Sequence, residues 1–228
     1  YTYDLTTQKV EKTNISGDFE YVIRINWSND SKGLAIQTMN RHQNNLKMHL
    51  VDVASNTDKI IYEESHDKYV EVPTTIFLAN KDQFLITNEK DGYNHMYLYD
   101  ISGKLIKQIT KGSWEVIEIY GIDEKSGMVY YQSTEQGAIT RSVYGIKLNG
   151  SSKKKLSNRT GVSSAEFSST YKYFINTNSS ASTPYYVTVN DNKGKEIRVL
   201  MDNKAVVDRL KGYNISNKEF STLTINGQ

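Results

Sequence analysis

Hydrophobic and polar positions alternate with a period of two along most of the chain. Tyr21, Ile23 and Ile25 interleave with Val22, Arg24 and Asn26. Met96 and Leu98 interleave with Tyr97 and Tyr99, and Tyr171 to Ile175 repeats the pattern. Such alternation predicts half-buried strands with one solvated face. A helix is convincing only over Asp202 to Lys211, with apolar Ala205, Val206, Val207 and Leu210. Asp202 or Asn203 would cap its start, and Gly212 would end it. One short helix among many strands predicts an all-β chain.

An apolar–polar–apolar triplet recurs at the end of a strand. Tyr3-Asp4-Leu5, Val51-Asp52-Val53, Tyr99-Asp100-Ile101 and Ile146-Lys147-Leu148 lie 48, 48 and 47 residues apart, with a fifth copy at Val187-Thr188-Val189. A polar or Gly-containing turn follows each, and then a short strand: Lys9 to Thr13, Lys59 to Tyr62, Leu105 to Thr110, Lys154 to Ser157, Ile197 to Leu200. First strands centre near Trp27, Phe77, Ile122 and Phe167, at spacings of 50, 45 and 45. Four strands per unit of about 45–50 residues is the period of a β-propeller blade. Four blades are expected at about 17–65, 69–115, 116–161 and 162–201, then a helix at 202–211. Residues 1–16 would supply the last two strands of a preceding blade. An open half-blade exposes an unpaired edge, so the chain reads as half of a larger propeller whose first residue, Tyr1, is a cut or processed end.

Composition narrows the classes of function. Aromatics reach 11%, with 17 Tyr and 2 Trp, which opposes disorder. With 28 basic and 26 acidic residues the net charge is +2, too small to steer polyanions. The run Lys153-Lys154-Lys155 lacks interleaved stacking aromatics and reads as a solvated strand, so no nucleic-acid partner is expected. The absence of cysteine excludes disulfides, thiolate-bound zinc and a thiol nucleophile.

The catalytic search returns little. There is no G-x-S-x-G, phosphate loop, G-x-G-x-x-G or H-E-x-x-H. His42, His49, His66 and His95 have no second His at metal-binding spacing, so neither a metal nor a cofactor is expected. His95, at a strand start, reads as a hydrogen-bonded structural residue. His42 lies in Arg41-His42-Gln43-Asn44-Asn45, a turn between two central strands that either caps backbone groups or contacts a ligand. Glu63-Glu64 and Asp123-Glu124 read as solvated acids in turns rather than an acid/base pair.

Five strings, in order, carry a resemblance. They are Gly17-Asp18-Phe19-Glu20-Tyr21 leading to Trp27; Arg41-His42-Gln43-Asn44; Asn88-Glu89-Lys90-Asp91-Gly92-Tyr93-Asn94-His95; Thr110-Lys111-Gly112-Ser113-Trp114-Glu115-Val116; and Asn190 to Asn203 with Ile197-Arg198-Val199-Leu200. Together they resemble the propeller of the dipeptidyl peptidase IV family, in the prolyl oligopeptidase clan. The third string has one residue more than the family's turn.

The resemblance implies a serine exopeptidase in which an eight-bladed propeller precedes an α/β-hydrolase domain, and which removes N-terminal dipeptides with Pro or Ala second. This chain would be the second half of that propeller. Residues 213–228 would be the linker and the start of the hydrolase domain, whose Ser, Asp and His would lie beyond Gln228. The family's amine-binding glutamates would precede Tyr1, and Glu63-Glu64 are not those residues. A propeller loop lining the family's substrate pocket should fall near Tyr69 to Thr75, which makes Tyr69, Val70 and Glu71 the candidate substrate-lining residues. The aromatic and basic residues of animal members are not matched there by Val70-Glu71-Val72-Pro73. The absence of cysteine also departs from animal members and points to a bacterial envelope protein, periplasmic or secreted.

The implied function is therefore a non-catalytic propeller portion that gates peptide access to a hydrolase domain, with a homodimer as a further expectation. Two alternatives are a stand-alone propeller that binds protein or glycan, and a glycan-active enzyme that would need converging carboxylates.

Overall fold

β-Branched and aromatic residues separated by Asp, Asn, Ser and Gly turns build eighteen strands and one helix among the described residues. The computed structural model describes residues 1–79, 82–216 and 218–225. The chain divides into two compact units, Tyr1–Gly112 and Ser113–Gln228.

In the first unit, β1 (Thr2–Tyr3) and β2 (Val10–Glu11) form a two-stranded sheet. A four-stranded antiparallel sheet follows, with β3 (Tyr21–Trp27), β4 (Gly33–Met39), β5 (Asn45–Asp52) and β6 (Thr57–Ser65) in sequence order. The next sheet is built the same way from β7 (Thr75–Phe77), β8 (Gln83–Asn88), β9 (His95–Asp100) and β10 (Leu105–Gln108). The second unit holds two more. One comprises β11 (Val116–Asp123), β12 (Met128–Ser133), β13 (Ser142–Lys147) and β14 (Lys154–Lys155); the other comprises β15 (Val162–Phe167), β16 (Tyr173–Ser179), β17 (Tyr186–Asp191) and β18 (Glu196–Met201). Within these sheets of the described residues all pairings are antiparallel and between chain neighbours. The chain is an all-β propeller fragment of four four-stranded blades with two strands before them.

The expected one-sided strands hold only at the sheet margins. All seven residues of β4 are buried, including Gln37 and Thr38, and β9 is buried from His95 to Tyr99. In β4 the β7–β10 sheet covers one face and the segment around Ile15 covers the other, so alternation there sorts residues between two buried faces. In β3 the register shifts between Val22 and Arg24. Ile23 packs against the core, but Ile25 is 63% exposed, contrary to the expectation that Tyr21, Ile23 and Ile25 share one face. Tyr171 lies in a turn at φ 54°, ahead of β16, so it is not in a strand either.

The core of the first unit lies between its two larger sheets. Met39, Leu46, Met48, Ile61 and Tyr62 from one meet Phe77, Phe84, Ile86, Tyr97 and Tyr99 from the other. In the second unit Tyr130, Val143 and Leu156 pack against Ala165 and Phe174. The Tyr130 and Phe167 ring centroids are 4.4 Å apart there.

Helix α1 (Lys204–Leu210) is shorter than expected and none of its residues is buried. Asn203, at φ 51°, makes no side-chain cap, and its amide donates to the Tyr185 carbonyl instead. Asp202 accepts the Lys204 N–H at 3.0 Å, so the acid rather than the amide caps the start. The described residues of 213–225 form neither helix nor strand, and 226–228 lie outside the described residues.

Candidate functional site

The Arg41–Asn44 turn is shaped by Asn40. Its side-chain oxygen accepts the Asn44 and Asn45 N–H groups, each at 3.1 Å, and its amide donates to the Asn44 side chain at 2.8 Å. Gln43 takes a left-handed φ of 55°, which closes the turn between β4 and β5. Arg41 and His42 remain exposed, and Arg41 pairs loosely with Glu20 at 3.7 Å.

This turn is the scaffold for the loop that joins β6 to β7. The His66 N–H donates to the Asn44 carbonyl at 2.9 Å, and the Val70 N–H donates to the Gln43 carbonyl at 3.0 Å. Further along, the Arg24 guanidinium donates to the Pro73 carbonyl at 3.1 Å, and the Thr74 N–H reaches the Thr87 hydroxyl at 3.0 Å. Val70 is 3% exposed within the core, with Val72 packed beside it. Tyr69, at 47%, and Glu71 therefore face solvent on either side of a buried anchor. Two stretches singled out separately in the sequence are thus brought together by backbone hydrogen bonds.

Beneath the loop lies a polar aromatic cluster. The Tyr62 hydroxyl donates to Glu64, Asn88 donates to the Tyr62 oxygen at 3.2 Å, and Lys90 reaches the Tyr99 hydroxyl at 3.4 Å. The Lys90 ammonium also sits 4.8 Å from the Tyr62 ring centroid. Burial first, then the Glu64 carboxylate, pushes the Tyr62 phenol far above its usual range, so it stays a neutral donor. The cluster can orient and bind, but its phenol is no nucleophile.

Several sequence candidates resolve as structural. Glu63 and Glu64 lie in β6, not in a turn as expected, and alternation sends them to opposite faces. Glu63 accepts from Asn45 at 3.0 Å and pairs with Lys47 at 3.7 Å, so the two acids share no reacting centre. Asp123 ends β11 and holds the Ser126 hydroxyl at 2.5 Å. His95 is fully buried, with its ring nitrogens 3.1 Å from the Thr110 hydroxyl and 3.0 Å from the Gly112 carbonyl. Lys153, beside the exposed two-residue β14, pairs with Glu135 and lies 5.4 Å from the Trp114 ring centroid. No group of three or more His, Cys, Asp or Glu able to hold a metal occurs among the described residues.

A constellation that no sequence spacing signalled is Thr38, His49 and Asp58. The Thr38 hydroxyl lies 3.3 Å from His49 Nε2, and His49 Nδ1 lies 2.9 Å from Asp58. That order of hydroxyl, imidazole and carboxylate has the connectivity of a hydrolytic triad. Thr38 is 1% exposed and His49 is 0% exposed, however, so no substrate carbonyl can reach the hydroxyl. Asp58 also accepts the Ser16 N–H and hydroxyl, both at 2.9 Å, and so ties the segment before β3 to the β5–β6 hairpin. Burial of Asp58 opposes ionisation, but the Ser16 N–H, the His49 ring and the Ser16 hydroxyl outweigh it and hold the carboxyl below its ordinary 3.8. A depressed carboxyl stabilises the fold above its unfolded value and loses that contribution as pH falls through the folded one. The tie around Ser16 should therefore survive through the ordinary carboxylate range and open only as pH falls through the lowered value. Amide exchange at Ser16, followed from pH 6 to pH 2.5, checks this; Asp58→Ala, which removes the acceptor, should expose that amide across the whole range.

Comparison with known proteins shows the family. Residues 1–185 match the family model of the dipeptidyl peptidase IV (DPP IV) N-terminal region. The chain belongs to this family. The crystal structure of Porphyromonas gingivalis dipeptidyl peptidase 4 superposes with a TM-score of 0.88 at 39% identity, over 96% of this chain and 31% of that one. "Probable dipeptidyl-aminopeptidase B" of Phaeosphaeria nodorum is 26% identical over 99% of this chain and 27% of its own length. Dipeptidyl peptidase 4 of Arthroderma otae is 29% identical over 85% of this chain and 26% of its own. The chain thus spans between a quarter and a third of these DPP IV relatives. No helix among its described residues is long and apolar enough to cross a membrane.

Proposed function

We propose that this chain is the non-catalytic propeller portion of a DPP IV-like serine exopeptidase, and that it shapes which peptides reach a separate hydrolase domain. The observation that carries this is the 39% identity over 96% of the chain to a dipeptidyl peptidase 4 whose length it covers only to 31%. In this reading a Ser–His–Asp triad outside these residues cleaves after the second residue of the substrate. The propeller admits flexible chain ends and turns away folded protein.

Tyr69 and Glu71 are the residues offered to the peptide, with Val70 as the anchor between them. Tyr69 supplies a flat apolar face with a hydroxyl at its tip, and Glu71 supplies a carboxylate for a cationic side chain. The full protein belongs to the cell envelope of a bacterium, periplasmic or secreted. No nucleic-acid partner fits a chain of net charge +2. A homodimer that covers the outer edges is part of the reading, and a sedimentation profile showing monomer alone would remove it.

The test is dipeptide release from X-Pro peptides by the 228-residue chain and by the full-length protein. The chain alone should be inactive. The full-length protein should release dipeptides and be stopped by serine-directed inhibitors. Tyr69→Ala or Glu71→Ala in the full-length protein should raise KM several-fold with kcat retained, the signature of lost ground-state binding. Inhibitor-insensitive turnover by the chain, or a full-length protein that releases no dipeptide, overturns the reading.

A further inference from the structure

His66 opens the loop that carries Tyr69, and its ring faces two kinds of partner. Nδ1 lies 3.1 Å from the Lys68 N–H and 3.4 Å from the Tyr69 N–H, donors that need an unprotonated acceptor. The same nitrogen lies 3.1 Å from the Asp67 carboxylate, an acceptor that needs a protonated donor. Imidazole can serve one or the other, because Nδ1 has either a lone pair or a proton.

We propose that His66 is the positioning residue of the loop between β6 and β7, holding the Tyr69 backbone while its imidazole is neutral and releasing it to pair with Asp67 when protonated. In the neutral form the ring proton resides on Nε2 and the Nδ1 lone pair accepts the two backbone donors, as an Asx side chain does at a turn. When solvent supplies a proton to Nδ1, the new N–H has Asp67 waiting, and the Lys68 and Tyr69 amides lose their acceptor. The remaining anchors, from His66 N–H and Val70 N–H to the Arg41–Asn44 turn, involve no titratable group. Release is therefore confined to the stretch between them, where Tyr69 sits. The charged and titratable residues on the elements that join at His66 are Asp67, Lys68, Tyr69 and Glu71 in the loop, Arg41 and His42 in the turn, and Glu63 and Glu64 in β6; Asp67 is the one in contact with the ring. Arg41 is paired with Glu20, and Glu63 with Lys47. Asp67, the group in contact, sets the direction of the switch. The loop is therefore held while the ring is neutral and freed once the ring is protonated.

The inference rests on the reading that Tyr69 meets the peptide, and the test separates the two. Backbone amide exchange and NMR shifts of Lys68 and Tyr69 in the 228-residue chain are followed from pH 8 to pH 5, with exchange corrected for its intrinsic pH dependence. In the wild type, protection at both amides should fall by about fivefold or more, the worth of one to two net hydrogen bonds, in step with the His66 ring signals. His66→Asn, whose carboxamide oxygen accepts without titrating, should keep protection flat. His66→Ala should leave both amides open at every pH. Amides indifferent to the ring's protonation, or an unchanged pH response in His66→Asn, overturn the proposal. In the full-length protein, KM for an X-Pro peptide should rise on acidification more in the wild type than in His66→Asn, with the kcat ratio constant. If the amides switch but the two KM profiles coincide, the positioning role stands and the placement of Tyr69 at the peptide fails.

Discussion

Replacing Phe84 with Ala should cost the first unit about 3–5 kcal/mol, the range for deleting a fully buried aromatic side chain. Phe84 is 0% exposed in the second position of β8. Its ring stacks on Tyr99 at 5.6 Å and leans on Phe77 at 5.7 Å, so it joins three strands of its own sheet to the core shared with β4, β5 and β6. Tyr99 in turn meets Tyr62 edge-on at 5.5 Å, which places the cavity directly behind the Tyr62–Glu64–Lys90 cluster. Domains are stable by only about 5–15 kcal/mol, so the loss approaches the whole margin. With a urea slope of about 2 kcal/mol/M, the midpoint should drop by roughly 2 M. Amide exchange in β8 and β9 should accelerate while β15 to β17 are unchanged. A midpoint shift under about 0.5 M would mean that the two sheets collapse onto the gap, contrary to the packing described.

Gly161→Ala should have the next largest effect, and in the other unit. Gly161 precedes β15 at φ 103°, a backbone region costly for any residue with a Cβ. A Cβ there would overlap the Ser179 carbonyl oxygen, which is backbone and cannot rotate away. The Gly161 carbonyl also accepts the Arg141 N–H at 3.1 Å, so shifting the glycine disturbs the bridge between Arg141 and Val162. Dihedral strain and overpacking of about 1–3 kcal/mol each give an expected cost of about 2–5 kcal/mol. Thermal unfolding followed by Trp114 fluorescence is the measurement, since Trp27, the other tryptophan, lies in the first unit. An unchanged melting temperature would show that the Ser179–Ser180 end of β16 yields without penalty.

Much of the fold was legible because turns carry side-chain chemistry. The Asp100 carboxylate accepts the Ser102 and Lys104 N–H groups at 2.8 and 3.1 Å, and Asp191 does the same for Lys193 and Lys195. These are the turns after the recurring triplets, and their residue types announce them. Burial was less legible. Gln37, Thr38 and His49 look like residues for a wet face, yet all are enclosed, because the β7–β10 sheet covers one face of β4 and β5 and the segment around Ile15 and Ser16 covers the other. Glu63-Glu64 looked like a turn because β6 is an outer strand, where polar runs are tolerated. The candidate site was half legible. Tyr69 and Arg41 to Asn44 could be picked out, but their junction runs through the Gln43 and Asn44 carbonyls, groups that every residue has. Backbone-to-backbone anchoring leaves no trace in residue type, so only the register of the sheet reveals it.

The strand order has a consequence for how the protein is made. Every four-stranded sheet is a meander completed within about 45 consecutive residues, and none needs a strand from elsewhere in the described chain. At synthesis rates of about 5–20 residues per second, each meander can zip up within seconds of clearing the ribosome exit. Because its contacts are local in sequence, little loop-closure entropy delays it. The nascent protein can thus gain structure in instalments, the first finished sheet of each unit offering a template face to the second. Pauses placed between sheets should help this order of events, and pauses placed within one should hinder it.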